Sequence, residues 1–311
     1  MKTIHHTDLT VFPLALGGNV FGWTAGEKES FAVLDAYADA GGNFVDTADV
    51  YSAWVPGNSG GESEEIIGRW LARRGRRDDL VIATKVSQHA DAKGLSRASI
   101  RHGVEASLRR LQTDHIDLYY AHYDDQETPL EETVAAFGEL VTAGKVRYVA
   151  ASNYTADRLG EALKLADAAG LPRFVAIQSH YNLVHRDEYE GALRDLAARE
   201  GLASVPYYAL ASGFLTGKYR DGSADSDSPR AEGAAKYLDD RGRRVLAALD
   251  EIAAAHDAAV ATVALAWLAA QPTVVAPIAS ARTVEQLPDL VAVADLRLTG
   301  DELDRLTRAS A

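Results

Sequence analysis

The chain of 311 residues contains no cysteine. A disulfide framework, a thiolate metal site and a catalytic thiol are therefore excluded. The lack of cysteine also fits a reducing compartment. Residues 1–6 contain no apolar run of the length that a secretion signal needs. We therefore expect a cytoplasmic protein.

Long apolar runs and an excess of positive charge are also missing. The most apolar stretch, residues 258–270, is too short to span a bilayer, so no membrane is expected. Asp and Glu total 45 against 32 Lys and Arg, which gives a formal net charge of −13. This charge repels phosphate backbones and anionic lipid surfaces, so nucleic acid is not an expected partner.

Several familiar motifs are absent or incomplete. No G-x-G-x-x-G follows an early strand, which argues against a Rossmann dehydrogenase. No H-E-x-x-H is present, and His180 and His185 are five residues apart rather than on one helical face, so we expect no catalytic metal. Residues 57–61 match the G-x-S-x-G of hydrolases without the strand that must precede it. Residues 213–218 imitate a phosphate loop but are one residue too short.

Eight short runs rich in β-branched residues alternate with longer amphipathic stretches. The strand-like runs are residues 14–18, 44–49, 81–86, 116–122, 146–152, 174–181, 202–210 and 274–280. Stretches with apolar residues at helical spacing include 62–74, 96–111, 130–143, 156–169 and 187–199. Such alternation predicts a parallel sheet, because each right-handed crossover returns the chain in the same direction. We predict an α/β fold, a (β/α)8 TIM barrel formed by residues 1–311 as a single domain, with an open doubly wound sheet as the alternative.

Two polar segments interrupt this alternation. Residues 52–61 form a loop after the second strand, and residues 220–232 are rich in Gly, Ser and Asp and are expected to be mobile. Both follow strands. We therefore expect both at the face of the barrel where barrel enzymes carry their active sites.

Polar side chains stand at the ends of three successive predicted strands. Asp46 and Tyr51 belong to the second, Lys85 to the third and His122 to the fourth. A buried Lys needs an anion beside it, and Asp46 is the nearest candidate by barrel geometry. The ammonium group should lower the pKa of the Tyr51 phenol from about 10, which makes Tyr51 the predicted general acid. His122 would orient the same carbonyl oxygen. Any one of these residues alone is more often structural, but four together favour an active site.

Longer motifs point to one family. The first motif joins residues 44–51 and 61–68, which are predicted to form a strand and, after a loop, the start of a helix. The others are Ala-Thr-Lys at 83–85, Ala-Ser-Asn-Tyr at 151–154, Gln-Ser-His-Tyr-Asn at 178–182 and Leu-Ala-Ser-Gly-Phe-Leu-Thr-Gly-Lys-Tyr at 210–219. Together they resemble the aldo-keto reductase superfamily, especially its bacterial members and the potassium-channel β-subunit relatives. The resemblance covers nearly the whole chain, and it matches Asp46, Tyr51, Lys85 and His122 to the family's catalytic tetrad.

The resemblance implies that NADPH lies across the carboxyl ends of the strands. Its nicotinamide would stack on Tyr207, and Ser152, Asn153 and Gln178 would hold the carboxamide. The other implied contacts are Gly18, Asn19 and Asp46 near the first strands, Leu210, Ser212 and Gly213 under the pyrophosphate, and Ser280, Arg282 and Gln286 at the adenosine end, with Arg282 on the 2′-phosphate. The chain departs from the family at Tyr208 and Ala209, where Ser-Pro is usual, and at Leu290, where Asn is usual.

Trp54 is the candidate substrate-binding residue. It is a large aromatic residue in a loop bounded by Pro and Gly, just after the proposed acid, and we expect it to line the substrate pocket. The alternative is a ring packed on a neighbouring helix.

Two functions remain open at this point. One is an NADPH-dependent reductase of a small aldehyde, ketone or keto-sugar, and the other is an NADPH-binding regulatory or sensor subunit with little turnover. The resemblance allows a monomer or a small homo-oligomer.

Overall fold

The computed structural model describes residues 1–220 and 229–311. Within them, an antiparallel pair of short strands, β1 (Lys2–Thr3) and β2 (Thr10–Val11), precedes the main sheet. The main sheet consists of eight parallel strands: β3 (Ala15–Gly17), β4 (Phe44–Asp46), β5 (Val81–Val86), β6 (Ile116–Ala121), β7 (Val146–Ser152), β8 (Phe174–Gln178), β9 (Ala203–Ser204) and β10 (Ile278–Ala279). Their spatial order follows the chain except that β10 pairs with β3.

Backbone hydrogen bonds close this sheet. β9 is the last strand at one edge of the strand order, and the Ser204 carbonyl oxygen in β9 accepts a hydrogen bond from Val275 N at 2.9 Å. Ile278 N donates to Pro206 O, also at 2.9 Å, so the chain around β10 joins both edges. The predicted (β/α)8 barrel is therefore confirmed, and the open doubly wound sheet is not the fold.

Helices surround the barrel between the strands. The α-helices are α1 (Glu27–Asp39), α2 (Glu62–Arg74), α3 (Arg97–Leu111), α4 (Leu130–Thr142), α5 (Ala156–Ala169), α6 (Ala192–Glu200), α7 (Ala231–Ala235), α8 (Asp240–His256), α9 (Val260–Ala269), α10 (Leu287–Val291) and α11 (Gly300–Ala309). Side chains cap several of them: Ser96 accepts from Ser99 N before α3, and Thr155 accepts from Arg158 N before α5. The capping residues Ser96 and Thr155 thus define where α3 and α5 begin.

Several regular strands are shorter than the predicted runs. The run 274–280 contributes only Ile278–Ala279, and the run 44–49 only Phe44–Asp46. Beyond Asp46 the chain stays beside β5 outside the regular strand, since Thr47 N donates to Ala83 O at 2.8 Å and Asp49 N to Lys85 O at 3.2 Å. Apolar β-branched composition marks these segments as buried, but it does not reveal where the regular ladder ends.

The loop of residues 52–61 is firmly attached to its surroundings. Ser52 Oγ donates to Phe21 O at 2.8 Å, and Asn58 Nδ2 donates to Gly22 O and Ser52 O at 3.1 Å each. The loop therefore lies against the chain that follows β3. Of the second interrupting segment, residues 220–232, positions 221–228 lie outside the described residues.

No single helix in residues 1–220 and 229–311 has both the length and the apolar character needed to cross a membrane. Only α8 and α9 taken together, bent by 99°, meet that criterion by length and composition.

Candidate active site

Lys85 is the centre of a buried hydrogen-bonded group at the carboxyl ends of β4 and β5. It is fully buried, and its Nζ donates to Asp46 Oδ2 at 2.7 Å, to Thr47 O at 2.7 Å and to Tyr51 Oη at 3.0 Å. Gln178 Nε2 donates to the second Asp46 oxygen at 2.9 Å. The ammonium group thus has three acceptors, and the expected pairing of Asp46 with Lys85 is present.

The pKa of Tyr51 differs from the sequence-based expectation. Burial raises it well above 10, and the negative charge of Asp46 adds to the increase. The adjacent ammonium group of Lys85 does not outweigh these effects, because burial also lowers the pKa of Lys85 itself. The expected decrease of the Tyr51 pKa is therefore wrong, and the phenol is protonated at neutral pH.

His122 follows β6 directly, and its ring lies beside Tyr51, with ring centroids 6.3 Å apart. Burial, together with the charge of Lys85, lowers the pKa of His122 well below 6.5. The imidazole is therefore neutral. Its Nδ1 is buried and has no partner among the described residues, and the residue lines the cavity.

These groups lie at the base of a cavity of about 930 Å³. Most residues of the predicted site line it: Asn19, Asp46, Tyr51, Trp54, His122, Ser152, Asn153, Gln178, Tyr207, Leu210, Ser212, Gly213, Ser280, Arg282 and Gln286. Two do not. Lys85 lies beneath Tyr51, and Gly18 is turned away, with its carbonyl oxygen accepting from Ser63 Oγ at 2.8 Å, so Gly17 lines the cavity in its place.

The residues predicted around the nicotinamide already form a connected network. Tyr207 Oη donates to Asn153 Oδ1 at 2.8 Å, and Asn153 Nδ2 donates to Ser152 Oγ at 3.0 Å and to His122 O at 2.9 Å. Asn153 has a φ of 56°, a left-handed conformation that Asn adopts more easily than most residues. The Asn153 amide thus fixes the position of the Tyr207 ring.

The predicted adenosine end follows β10 in the chain. After Arg282 the chain forms a short 3-10 helix, Val284–Gln286, before α10. Gln286 Oε1 accepts from Arg282 N at 2.9 Å, and Ser280 Oγ donates to Asn19 Oδ1 at 2.7 Å. The backbone N–H of Arg282 is therefore already paired, and its guanidinium is the group left for a ligand.

The segment after Leu210 has an unusual backbone. Ala211, Ser212 and Gly213 have φ values of 48°, 59° and 91°. Left-handed conformations at non-glycine residues are strained and cluster at ligand sites. This strained turn lines the cavity where the pyrophosphate was expected.

Trp54 is half exposed and lies in the wall of the cavity. Its ring meets Trp23 edge to face, with centroids 5.6 Å apart, and lies 6.1 Å from Tyr51. Tyr123 and Tyr208, two more exposed aromatic residues, line the same cavity.

Trp23, Tyr123 and Tyr208 were not predicted as site residues. Trp23 lies in the chain after β3, Tyr123 directly follows His122, and Tyr208 directly follows Tyr207. The rule that the loops after barrel strands form the site would have identified them.

Cationic side chains of the cavity were also missed. Lys218, Arg230 and Lys236 line it together with Arg282, and none of the four has a carboxylate partner among residues 1–220 and 229–311. Burial lowers the pKa of Arg230, which lies over the Trp23 ring. Lys218 and Lys236 are exposed, whereas Arg230 and Arg282 are partly buried. A cluster of cations without acidic partners favours an anionic ligand.

A closed barrel with these groups at the carboxyl ends of its strands has the architecture of a barrel oxidoreductase. The sequence profile described as "Aldo/keto reductase family" matches residues 13–311. The chain belongs to this family.

Relatives share this similarity over nearly their whole lengths. "Uncharacterized oxidoreductase YrpG" of Bacillus subtilis is 37% identical over 313 residues, 96% of this chain and 92% of the relative. "Norsolorinic acid reductase B" of Aspergillus parasiticus is 33% identical, covering 97% and 81%. "Probable voltage-gated potassium channel subunit beta" of Oryza sativa is 34% identical, covering 98% and 94%. Family membership and these names support a carbonyl-reducing oxidoreductase.

Proposed function

We propose that the protein is an NADPH-dependent reductase that converts the carbonyl group of an aldehyde, ketone or keto-sugar to an alcohol, with Tyr51 as the general acid. The observation that carries the proposal is the position of Tyr51. Its hydroxyl faces a large cavity, while behind it Lys85 Nζ donates a hydrogen bond to Tyr51 Oη at 3.0 Å.

This hydrogen bond has a chemical consequence. Because Lys85 is the donor, the Tyr51 hydroxyl keeps its own hydrogen, which can turn from the Asp46 carboxylate toward a carbonyl oxygen in the cavity. The raised pKa of Tyr51 keeps that hydrogen in place at neutral pH. When the proton leaves, the phenolate forms next to an ammonium group that is itself held by Asp46, which stabilises the developing charge.

His122 completes the carbonyl site in this proposal. A neutral imidazole beside Tyr51 can donate one hydrogen bond to the same carbonyl oxygen and so fix its orientation. The aromatic wall formed by Trp23 and Trp54 would then cover the substrate and exclude water.

The residues present fit a dinucleotide with phosphate groups. The cavity carries the cations Lys218, Arg230 and Arg282, which have no carboxylate partner in the described part of the chain. A strained turn at Ser212 and the side chain of Tyr207 also line it. NADPH, when bound, would supply the hydride. Arg282 would contact the 2′-phosphate, Tyr207 would stack on the nicotinamide, and Ser152, Asn153 and Gln178 would orient its carboxamide.

A cofactor-binding regulatory subunit is the second candidate, and the similarity to the potassium-channel relative supports it. A steady-state assay separates the two. With NADPH and a panel of aldehydes, ketones and keto-sugars, a reductase oxidises the cofactor with a kcat of order 1 s⁻¹ or more on its best substrate. A regulatory subunit binds NADPH but turns over far more slowly on every member of the panel.

A further inference from the structure

Three side chains of types that bind metal ions lie together at the edge of the cavity, outside the group around Tyr51. His180 follows β8, and His185 and Glu188 come shortly after it in the chain. One ligand atom from each of the three lies within 4.8 Å of the others. His180 lines the cavity, and Glu188 is exposed to solvent.

A tight turn brings the two histidines together. Asn182 and His185 exchange two backbone hydrogen bonds, with N to O distances of 3.0 and 3.1 Å. The chain therefore reverses between the histidines, and their rings stack with centroids 3.6 Å apart and planes 12° from parallel. Residues five apart in sequence thus become direct neighbours.

Asn182 also indicates which His180 nitrogen is unprotonated. Its Oδ1 accepts from Val184 N and its Nδ2 donates to Tyr208 O, both at 2.9 Å, which fixes the orientation of the amide. The same Nδ2 faces His180 Nε2 at 3.5 Å, so that this nitrogen is the acceptor and carries a lone pair. A neutral imidazole is the form that binds metal ions.

His185 has a nitrogen without a hydrogen bond. Its Nε2 is buried and lies 3.1 Å from Glu188 Oε1, yet the two atoms are not aligned for a hydrogen bond and no other partner is present among the described residues. Two ligands of a tetrahedral Zn²⁺ ion, each bound at about 2.0–2.1 Å, are separated by about 3.3 Å. The observed separation of the two atoms is close to this value.

We propose that His180, His185 and Glu188 form a binding site for a divalent transition-metal ion, with Zn²⁺ as the best fit. Two imidazoles and one carboxylate are a common protein ligand set for this ion, and water can fill the fourth position. Binding requires the two rings to tilt out of their stack so that both lone pairs point to the ion. The side chains of His185 and Glu188 are 28% and 63% exposed, which leaves room for that movement.

The proposed metal site adjoins the proposed cofactor site, because the His180 ring also packs on Tyr207 and Tyr208, with centroids 5.4 and 5.1 Å away. The test therefore measures binding rather than turnover.

The experiment titrates the metal-free full-length protein with Zn²⁺ in competition with a chromogenic chelator. His5 and His6 are exposed neighbours of a type that binds Zn²⁺, so every protein in the titration, including the reference, carries His5→Asn and His6→Asn to remove this second source of ligands. In this background we expect one tightly bound Zn²⁺ per chain. His180→Asn or His185→Asn should weaken it at least tenfold, since even loss of a group that supports a ligand typically costs ~10 to 100-fold.

Two further variants complete the design. Glu188→Gln changes an exposed side chain, keeps both histidines and should also weaken binding, so the test does not depend on the folding of the histidine variants. His256→Asn is the matched control, because His256 forms a two-residue pair with Glu302 at 2.7 Å, and it should leave Zn²⁺ binding unchanged. Binding that is equal in wild type and all three site variants, or absent in wild type, overturns the proposal.

Discussion

The buried pair of Asp46 and Lys85 makes a prediction that does not depend on the cofactor. Both side chains are excluded from solvent, with 1% and 0% exposure, and their charged atoms are 2.7 Å apart. Lys85→Met removes the ammonium group and leaves a desolvated carboxylate without a cation beside it, although Gln178 still donates to it. Removing one partner of a buried ion pair typically costs about 3 to 5 kcal/mol of folding free energy.

The double variant should lose less than the sum of the single variants. Asp46→Asn with Lys85→Met contains no unpaired charge, and the oxygen of the new amide can still accept from Gln178. We therefore expect a coupling free energy of about 1 to 3 kcal/mol between the two sites. The assay is urea unfolding followed by circular dichroism and by tryptophan fluorescence, whose transitions must coincide for the free energies to be comparable.

A surface pair supplies the control. Arg69 and Glu27 are also 2.7 Å apart, but their side chains are 43% and 49% exposed. Arg69→Met with Glu27→Gln should give a coupling of only about 0.2 to 1 kcal/mol, because water screens the charges. If the Asp46 and Lys85 effects add to within about 0.5 kcal/mol, the two charges do not act as a pair and the reasoning is refuted.

Three further predictions concern the cavity and its surroundings. Arg282→Ala should weaken NADPH binding by ~10 to 150-fold in fluorescence titrations and NADH binding hardly at all, because a charged hydrogen bond to the 2′-phosphate is lost; equal losses would contradict the role. Trp54→Ala should change KM or substrate preference and leave the Kd for NADPH unchanged; lowered Tm with unaltered kinetics across the panel would mean that the ring is only structural. Burial raises the pKa of Asp49 to about 8, so the native state binds its proton more tightly than the unfolded chain does, and stability is lost as pH rises from about 4 through 8. The Tm of Asp49→Asn should therefore exceed that of wild type increasingly between about pH 5 and 9, and a difference independent of pH would contradict this assignment.

The architecture and the central pair could be predicted because they depend on repetition. Eight strand-like runs with helices between them leave few topologies, and neighbouring barrel strands place Asp46 beside Lys85. The ends of strands were less predictable. Residues 274–280 have the composition of a buried strand, yet only Ile278–Ala279 pair regularly, because the path of the chain between neighbouring elements decides where pairing stops.

Electrostatic environment and loop geometry were beyond the sequence. The pKa of Tyr51 was expected to fall because Lys85 is near, but burial by the surrounding elements dominates and raises it. The five-residue spacing of His180 and His185 argued against a shared metal ion because it was judged by helical geometry. In the structure these residues lie on a tight turn rather than on a helix. Arg230 was missed because its contact with Trp23 joins parts of the chain that are about 200 residues apart.

The central claim is that Tyr51 donates the proton in an NADPH-dependent carbonyl reduction, and Tyr51→Phe tests it most directly. Phe keeps the ring and removes only the hydroxyl, so the Kd for NADPH should stay within about twofold of wild type. Single-turnover oxidation of bound NADPH by the best aldehyde of the panel should slow by ~10² to 10⁴-fold, the usual contribution of a general acid. A variant that binds NADPH normally and reduces the aldehyde at the wild-type rate would contradict the account.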